Sequence, residues 1–151
     1  MTGLNHAVTG ALVAAAINRP VIALPAALLS HFAVDAIPHW NYELKPHIAR
    51  RQVIMLADLA LSLALLIVLA VGVDANPYLV IAGGLLAILP DTMWLRHFIT
   101  GRPSITGSPR RLINRLRQFH FWIQWSETSK GFFVELVWFP LMLWLIYQIH
   151  H

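Results

Sequence analysis

Runs of apolar residues, separated by short polar stretches, dominate the chain from end to end. Five such segments are visible, at positions 4–17, 21–37, 53–73, 78–98 and 131–149. A membrane-spanning helix needs about 20 mainly apolar residues, and the last three segments have that length. The first two are shorter and only Asn18-Arg19-Pro20 separates them. We therefore expect them to form a short helical hairpin, as two short spans or a re-entrant pair.

This pattern predicts an all-α fold, a polytopic transmembrane helical bundle in one integral membrane domain over residues 1–151. An N-terminal short helical hairpin would precede three further spans. Hydrophobic residues make up 58% of the chain and charged residues 12%, about half the roughly 25% of soluble proteins. A soluble domain of this length could not bury so much apolar surface. The chain contains no cysteine, which excludes disulfides and thiolate metal ligands.

Basic residues occur in two blocks between the apolar segments. One block holds Lys45, Arg50 and Arg51, and the other extends from Arg96 to Lys130. Segments 53–73 and 78–98 form a hairpin between the blocks, so both blocks face the same side, which the positive-inside rule makes the cytoplasm. The N-terminus would lie on that side and the C-terminus on the other. The net charge of +4, arranged in this way, indicates a membrane and not a nucleic acid as the partner.

Part of the second basic block has amphipathic character. It interleaves arginines with large apolar side chains, namely Arg110, Arg111, Leu112, Ile113, Arg115, Leu116, Arg117, Phe119 and Trp122. Such a pattern is typical of an interfacial helix lying at the lipid surface, with anionic headgroups as its partners. A cytosolic coiled arm or an RNA-binding helix is the alternative interpretation, disfavoured by the position between two spans.

Ionisable residues lie at one end of each apolar segment. They are His6, His31, Asp35, His39, Asp58, Asp91 and Glu135. In an antiparallel bundle these ends share the cytoplasmic side, so we expect the residues to lie in one layer near the inner headgroups. A charge within a span costs about 3 kcal/mol on insertion scales, which indicates that each residue has a partner or a function.

Spacing within this layer favours metal binding. His31 and Asp35 are four residues apart and share a helix face, and Pro38 should end that helix and leave His39 free to turn inward. His120, Gln124 and Glu127 form a similar polar face on the later helix. We expect metal ligands at His6, His31, Asp35, His39, Asp58, Asp91 and His120, with Glu127 or Glu135 as the catalytic general base. Imidazole and carboxylate without thiolate suit a divalent metal, zinc first, with manganese and iron as alternatives.

The same residues also have ordinary structural interpretations, which the sequence leaves open. His31 and Asp35 could form a buried hydrogen-bonded pair, and Asp58 could pair with Arg51 on the same helix. Asp91 could begin a helix, where a carboxylate interacts favourably with the helix dipole. The remaining candidates could be satisfied core side chains or interfacial residues.

Three short motifs, NHAVTGALVA, LLSHFAVDAIPHW and LLAILPDTMW, resemble those of the bacterial membrane-bound metal-dependent hydrolases, a family distantly similar to zinc-dependent phospholipase C. The resemblance implies that His6, Asp91, and His31 with Asp35 bind metal, and that the chain lies in the bacterial inner (plasma) membrane. The LPD motif follows the SHxxxD motif in this chain, the reverse of the usual order in the family.

These patterns predict a membrane-embedded metal-dependent hydrolase that cleaves a phosphoester, in a lipid headgroup or a lipid-linked phosphate, at the cytoplasmic interface. Two non-enzymatic alternatives stay open. The polar layer could relay ions or protons, or the chain could be a subunit of a larger membrane complex. A relay should place polar residues in both halves of the bilayer, whereas the outer half is almost empty of them, which favours the enzyme.

Overall fold

The computed structural model describes residues 1–40, 48–100 and 112–150, and these ranges are helical without a strand. The elements, in chain order, are α1 (Gly3–Ile17), α2 (Pro20–Asp35), α3 (Ile48–Gly72), α4 (Pro77–Ile88), the 3-10 helix η1 (Leu89–Trp94), α5 (Leu95–Thr100), α6 (Leu112–Ile123) and α7 (Gly131–His150). The predicted all-α class is confirmed for the described residues.

Three stretches are long and apolar enough to cross a membrane. They are Arg51–Gly72, Pro77–Trp94 and Gly131–Ile149, which correspond to the three predicted spans. Large apolar side chains on these helices point outward, such as Val71, which is 85% exposed. An apolar outer surface of this kind is what lipid would cover. The identity of the membrane and the orientation in it stay predictions.

The N-terminal hairpin predicted from the sequence is confirmed. Asn18 adopts the left-handed conformation with φ of 49°, and its N–H donates to the carbonyl oxygen of Ala14, a common end for a helix. Pro20 then begins α2, since a proline in the first turn removes only an N–H that would have no helical partner. With 15 and 16 residues, both helices are shorter than a full span.

Helix α1 lies at the centre of the bundle and packs against α2, α3, α4 and α7. Its backbone lies close to that of α4 where Gly10 meets Gly83. A Cβ added to Gly10 would collide with the carbonyl oxygen of Gly83 and with the methyl group of Ala87. Small residues spaced four apart on both helices, with Ala14 following Gly10 on α1, let the two backbones come together.

The sequence pattern predicts one continuous helix over 78–98 for the fourth apolar segment, but the structure shows an interruption. The α-helix ends at Ile88 and continues as η1, which contains Pro90. Proline has no N–H and its ring collides with the preceding turn, so the backbone tightens into 3-10 geometry there. As a result, Asp91 lies just beyond the end of α4.

The basic amphipathic segment forms α6, which begins at Leu112 and packs against α2. Arg110 and Arg111 lie outside the described residues, as does Lys45 of the first basic block. Helix α6 ends at Ile123, so Glu127 lies beyond its end. Contact of α6 with a lipid surface stays a prediction.

We expect Gly10→Ala to destabilise the bundle, because the new methyl group would meet backbone atoms that cannot move away without separating α1 from α4. Overpacking of this kind costs about 1–3 kcal/mol. The measurement is unfolding of the detergent-solubilised protein by heat or denaturant. Gly72→Ala is the matched control, since a Cβ there meets no atom within 4 Å. Equal stability of the two variants would contradict the close contact.

Candidate metal centre

Four predicted ligands converge at one end of the bundle. One ligand atom from each of His31, Asp35, Asp91 and His120 lies within 4.8 Å of those of the others. We call this set the four-residue cluster. Its members come from α2, η1 and α6, and all are buried except Asp91, whose side chain is 28% exposed. The structure thus brings His31, Asp35 and Asp91 together with His120, and this group could hold a metal ion.

The distances in the four-residue cluster suit a single small cation. The Nε2 atoms of His31 and His120 are 2.9 Å apart. Each lies 3.1 Å from Oδ2 of Asp35 and 3.7 Å from Oδ1 of Asp91. Ligand atoms placed about 2.0 Å from a tetrahedral zinc ion are about 3.3 Å apart. The observed separations lie on both sides of that value, so small side-chain shifts would complete the geometry.

The orientation of His31 is set by the helix next to it. Its Nδ1–H donates to the carbonyl oxygen of Ala87, 2.7 Å away. This hydrogen bond places the proton of the neutral ring on Nδ1 and leaves the Nε2 lone pair facing the cluster, as is usual for metal-binding histidines. Ala87 is also the residue whose methyl group packs beside Gly10. The contact that joins α1 to α4 therefore also orients a candidate ligand.

Asp35 is the most connected member of the cluster. Its side chain is fully buried, and Oδ2 also accepts from Nε2 of Gln124 at 3.3 Å. Gln124 thus shares the polar face of His120, as the spacing in the sequence predicts. On the other oxygen, the Met1 ammonium group donates to Oδ1 at 2.6 Å.

Trp94 contacts the centre and was missed by reasoning from sequence. Its indole N–H donates to Nδ1 of His120 at 3.2 Å, so the neutral imidazole carries its own proton on Nε2. Coordination through Nε2 would require that proton to move to Nδ1. The sequence did contain one indication of this contact. Trp94 lies three residues after Asp91, and a buried indole N–H usually needs an acceptor.

His6 and His39 lie beside the four-residue cluster. The His6 ring stacks on that of His31 with centroids 4.1 Å apart, and its Nε2 is 3.1 Å from Oδ1 of Asp35. His39 follows the end of α2 and turns inward, as Pro38 predicts, with Nε2 4.0 Å from the same oxygen. Both side chains are buried.

Asp58 and Glu135 instead hold the N-terminal end of α1. Asp58 accepts hydrogen bonds from the N–H groups of Gly3 and Leu4, at 2.7 and 3.0 Å. Glu135 accepts hydrogen bonds from the backbone N–H groups of Thr2 and Trp40 and from the side-chain amide of Asn5. Backbone N–H groups at a helix start lack helical partners and attract carboxylates. The structure does not bring these two residues into the four-residue cluster, and their roles as ligand and base stay predictions.

Glu127 approaches the centre from the loop between α6 and α7. Its Oε1 lies 3.8 Å from Nε2 of His39, and the backbones of the two residues form an isolated parallel bridge. Its side chain is 28% exposed. Glu127 is therefore close to the predicted ligands and partly open to solvent.

Replacing Trp94 by Phe should raise the affinity of the protein for zinc or cobalt by about two- to tenfold. The change removes a hydrogen bond worth about 0.5–1.5 kcal/mol that favours the tautomer of His120 in which Nε2 carries the proton. Competitive titration against a chromophoric chelator measures the affinity. Trp138→Phe is the control, because the Trp138 indole donates to Thr9 and not to the cluster. An unchanged or weaker affinity in Trp94→Phe would contradict this role.

Comparison of the chain with protein-family models, with curated proteins and with solved structures finds no match. The resemblance of the three short motifs to membrane-bound metal-dependent hydrolases therefore stays a prediction. What supports a functional proposal is the geometry of the four-residue cluster and its place at one end of the apolar helices.

Proposed function

We propose that this protein is a membrane-embedded metal-dependent hydrolase that acts on a phosphoester at the membrane interface. The observation that carries the proposal is the convergence of His31, Asp35, Asp91 and His120 at distances suited to one divalent ion. Two imidazoles and two carboxylates, without a thiolate, favour zinc, with manganese or iron as alternatives.

The ion would supply Lewis-acid polarisation of a phosphoryl oxygen and would activate water near neutral pH. His31 and His120 would bind it as neutral ligands, and the carboxylates of Asp35 and Asp91 would balance its charge. Of these residues only Asp91 has an exposed part. The substrate would therefore approach from the side of η1.

Glu127 suits the role of general base better than Glu135. A general base must reach the water or substrate proton that it removes. The side chain of Glu127 is 28% exposed beside His39, whereas Glu135 is only 5% exposed and binds Thr2 at the start of α1. We therefore assign proton transfer to Glu127, and to Glu135 the positioning of α1.

The surface around the centre supports a lipid phosphoester as substrate. Large apolar side chains next to the cluster are exposed, with Phe121 at 69%, Trp122 at 67% and Trp125 at 75%. Aromatic residues of this kind are enriched at the level of lipid headgroups. Arg96 and Arg115 are also exposed and would attract anionic headgroups, by about 1 kcal/mol each near a membrane surface.

The distribution of buried ionisable groups favours a site over a conducting path. In the described ranges, the buried histidine, aspartate and glutamate side chains are His6, His31, Asp35, His39, His120 and Glu135. All of them contact Asp35, its neighbours or the N-terminal end of α1. An ion or proton relay should have such groups along the length of the bundle.

Metal content tests the proposal most directly. We expect the purified protein to retain zinc, and His31→Ala and Asp35→Asn to weaken its binding by about 100-fold or more, since even indirect partners of a metal ligand contribute 10- to 100-fold. Asp74→Asn is the matched control, because Asp74 lies in the turn between α3 and α4, at the opposite end from Asp91. Elemental analysis after dialysis gives the content. A protein that binds no divalent metal would rule out the proposed hydrolase.

Substitution of the two glutamates separates catalysis from folding. With phosphate release from phospholipid vesicles as the assay, Glu127→Gln should lower kcat by about 10²- to 10⁴-fold, the usual contribution of a general base, without loss of metal. Glu135→Gln should lower the free energy of unfolding, because it weakens the acceptor for the N-terminal end of α1. Full activity in Glu127→Gln would remove that residue from the mechanism.

A further inference from the structure

The four-residue cluster uses only one oxygen of each aspartate. Asp35 Oδ2 and Asp91 Oδ1 face His31 and His120, whereas Asp35 Oδ1 and Asp91 Oδ2 face His6. The Nε2 atom of His6 lies 3.1 Å from the first of these outer oxygens and 3.9 Å from the second. Each carboxylate thus has imidazole nitrogens on both sides.

Two histidines on the outer side have buried nitrogen atoms without a hydrogen bond. They are Nδ1 and Nε2 of His6 and Nε2 of His39, and the two residues are 0% and 1% exposed. Leaving a buried polar atom unsatisfied costs about 1–3 kcal/mol, and such atoms in folded proteins commonly mark an ion or a functional role. Both Nε2 atoms lie near the same oxygen, Asp35 Oδ1.

The tautomer of His39 indicates what belongs between these atoms. Its Nδ1–H donates to the carbonyl oxygen of Ile37 at 2.8 Å, so a neutral His39 presents a lone pair at Nε2. That lone pair lies near the carboxylate oxygens of Asp35 and Glu127, at 4.0 and 3.8 Å. A cation between the His39 nitrogen and these two carboxylates would satisfy all three acceptors, whereas the Met1 ammonium group contacts only the Asp35 oxygen among them.

We propose that the outer side is a second divalent-cation site, formed by His6, His39, Asp35 Oδ1 and Asp91 Oδ2. We call it the second subsite. It rests on the proposed function, since the two aspartates would bridge it to the ion in the four-residue cluster. Two-metal centres that act on phosphoesters hold their ions about 3.5–4 Å apart and clamp the attacking and leaving oxygens. The second subsite would supply the other half of such a clamp.

The second subsite should bind its ion more weakly than the four-residue cluster. Two of its three separations, 3.9 and 4.0 Å, exceed the longest separation of 3.7 Å in the cluster. In addition, the Met1 ammonium group lies 2.6 Å from Asp35 Oδ1, so an ion there must displace that group or share the oxygen with it. We therefore expect the cluster to fill first.

The two sites depend on different parts of the fold, so substitutions can separate them. His6 is carried by α1. His39 is held by the loop before α7, where the N–H of Thr128 donates to the carbonyl oxygen of His39 at 2.9 Å and the Ser126 hydroxyl donates to Ile37. Neither His6 nor His39 belongs to the four-residue cluster, which His120 completes from α6.

Manganese binding to the detergent-purified full chain tests the second subsite. Equilibrium dialysis with elemental analysis should give two ions per chain for the wild type and for Asp74→Asn. It should give one ion for His6→Ala and for His39→Ala, with the tighter of the two affinities retained. Low-temperature EPR should show a spin-coupled pair in the wild type and the signal of an isolated ion in both variants.

The outcomes distinguish the second subsite from the proposed function. Saturation of the wild type at one ion, or two ions retained by both variants, would overturn the second subsite and leave the four-residue cluster intact. No binding at all would overturn both. A variant that retains the tight site is folded. If either His6→Ala or His39→Ala fails to fold, the other variant still tests the second subsite.

Discussion

Asp35 is a carboxylate with no exposed surface inside a largely apolar bundle, and the arrangement of its neighbours follows from that fact. A buried charge is tolerated only where opposite charge or hydrogen-bond donors surround it. Imidazoles approach Asp35 from α1, α2 and α6, those of His6, His31 and His120, at 3.1 Å each. Three of the elements that meet at this end of the bundle therefore supply partners for one side chain.

Close packing of small residues makes this convergence possible. Between helices surrounded by lipid the hydrophobic effect gives little attraction, so association depends on close contact and on polar groups. The contact of Gly10 with Gly83 brings α1 against α4 and places Ala87 at the interface. The carbonyl oxygen of Ala87 then fixes His31. Packing and site geometry are thus coupled through a single turn of α4.

Helix α6 connects the centre to the surface around it. His120 and Asn114 are buried, whereas Phe121 and Trp122 are exposed. A lipid that contacts the exposed residues would lie within one helical turn of His120. Because the same short helix carries a candidate ligand and the aromatic surface, the position of a bound headgroup and the geometry of the centre would depend on each other.

The sequence by itself determined the three long apolar segments, the short N-terminal hairpin and the end of α2 before Pro38. These features follow from local chemistry, namely apolar run length and proline geometry. Only the tertiary structure decided that Asp35 and Asp91 join the centre while Asp58 and Glu135 bind the start of α1. All four carboxylates lie near the same end of the bundle, but the direction in which each points depends on the rotation and packing of its helix. The sequence did not predict the contact of Trp94 for the same reason. Its partner His120 lies 26 residues away in sequence, and only packing brings the two together.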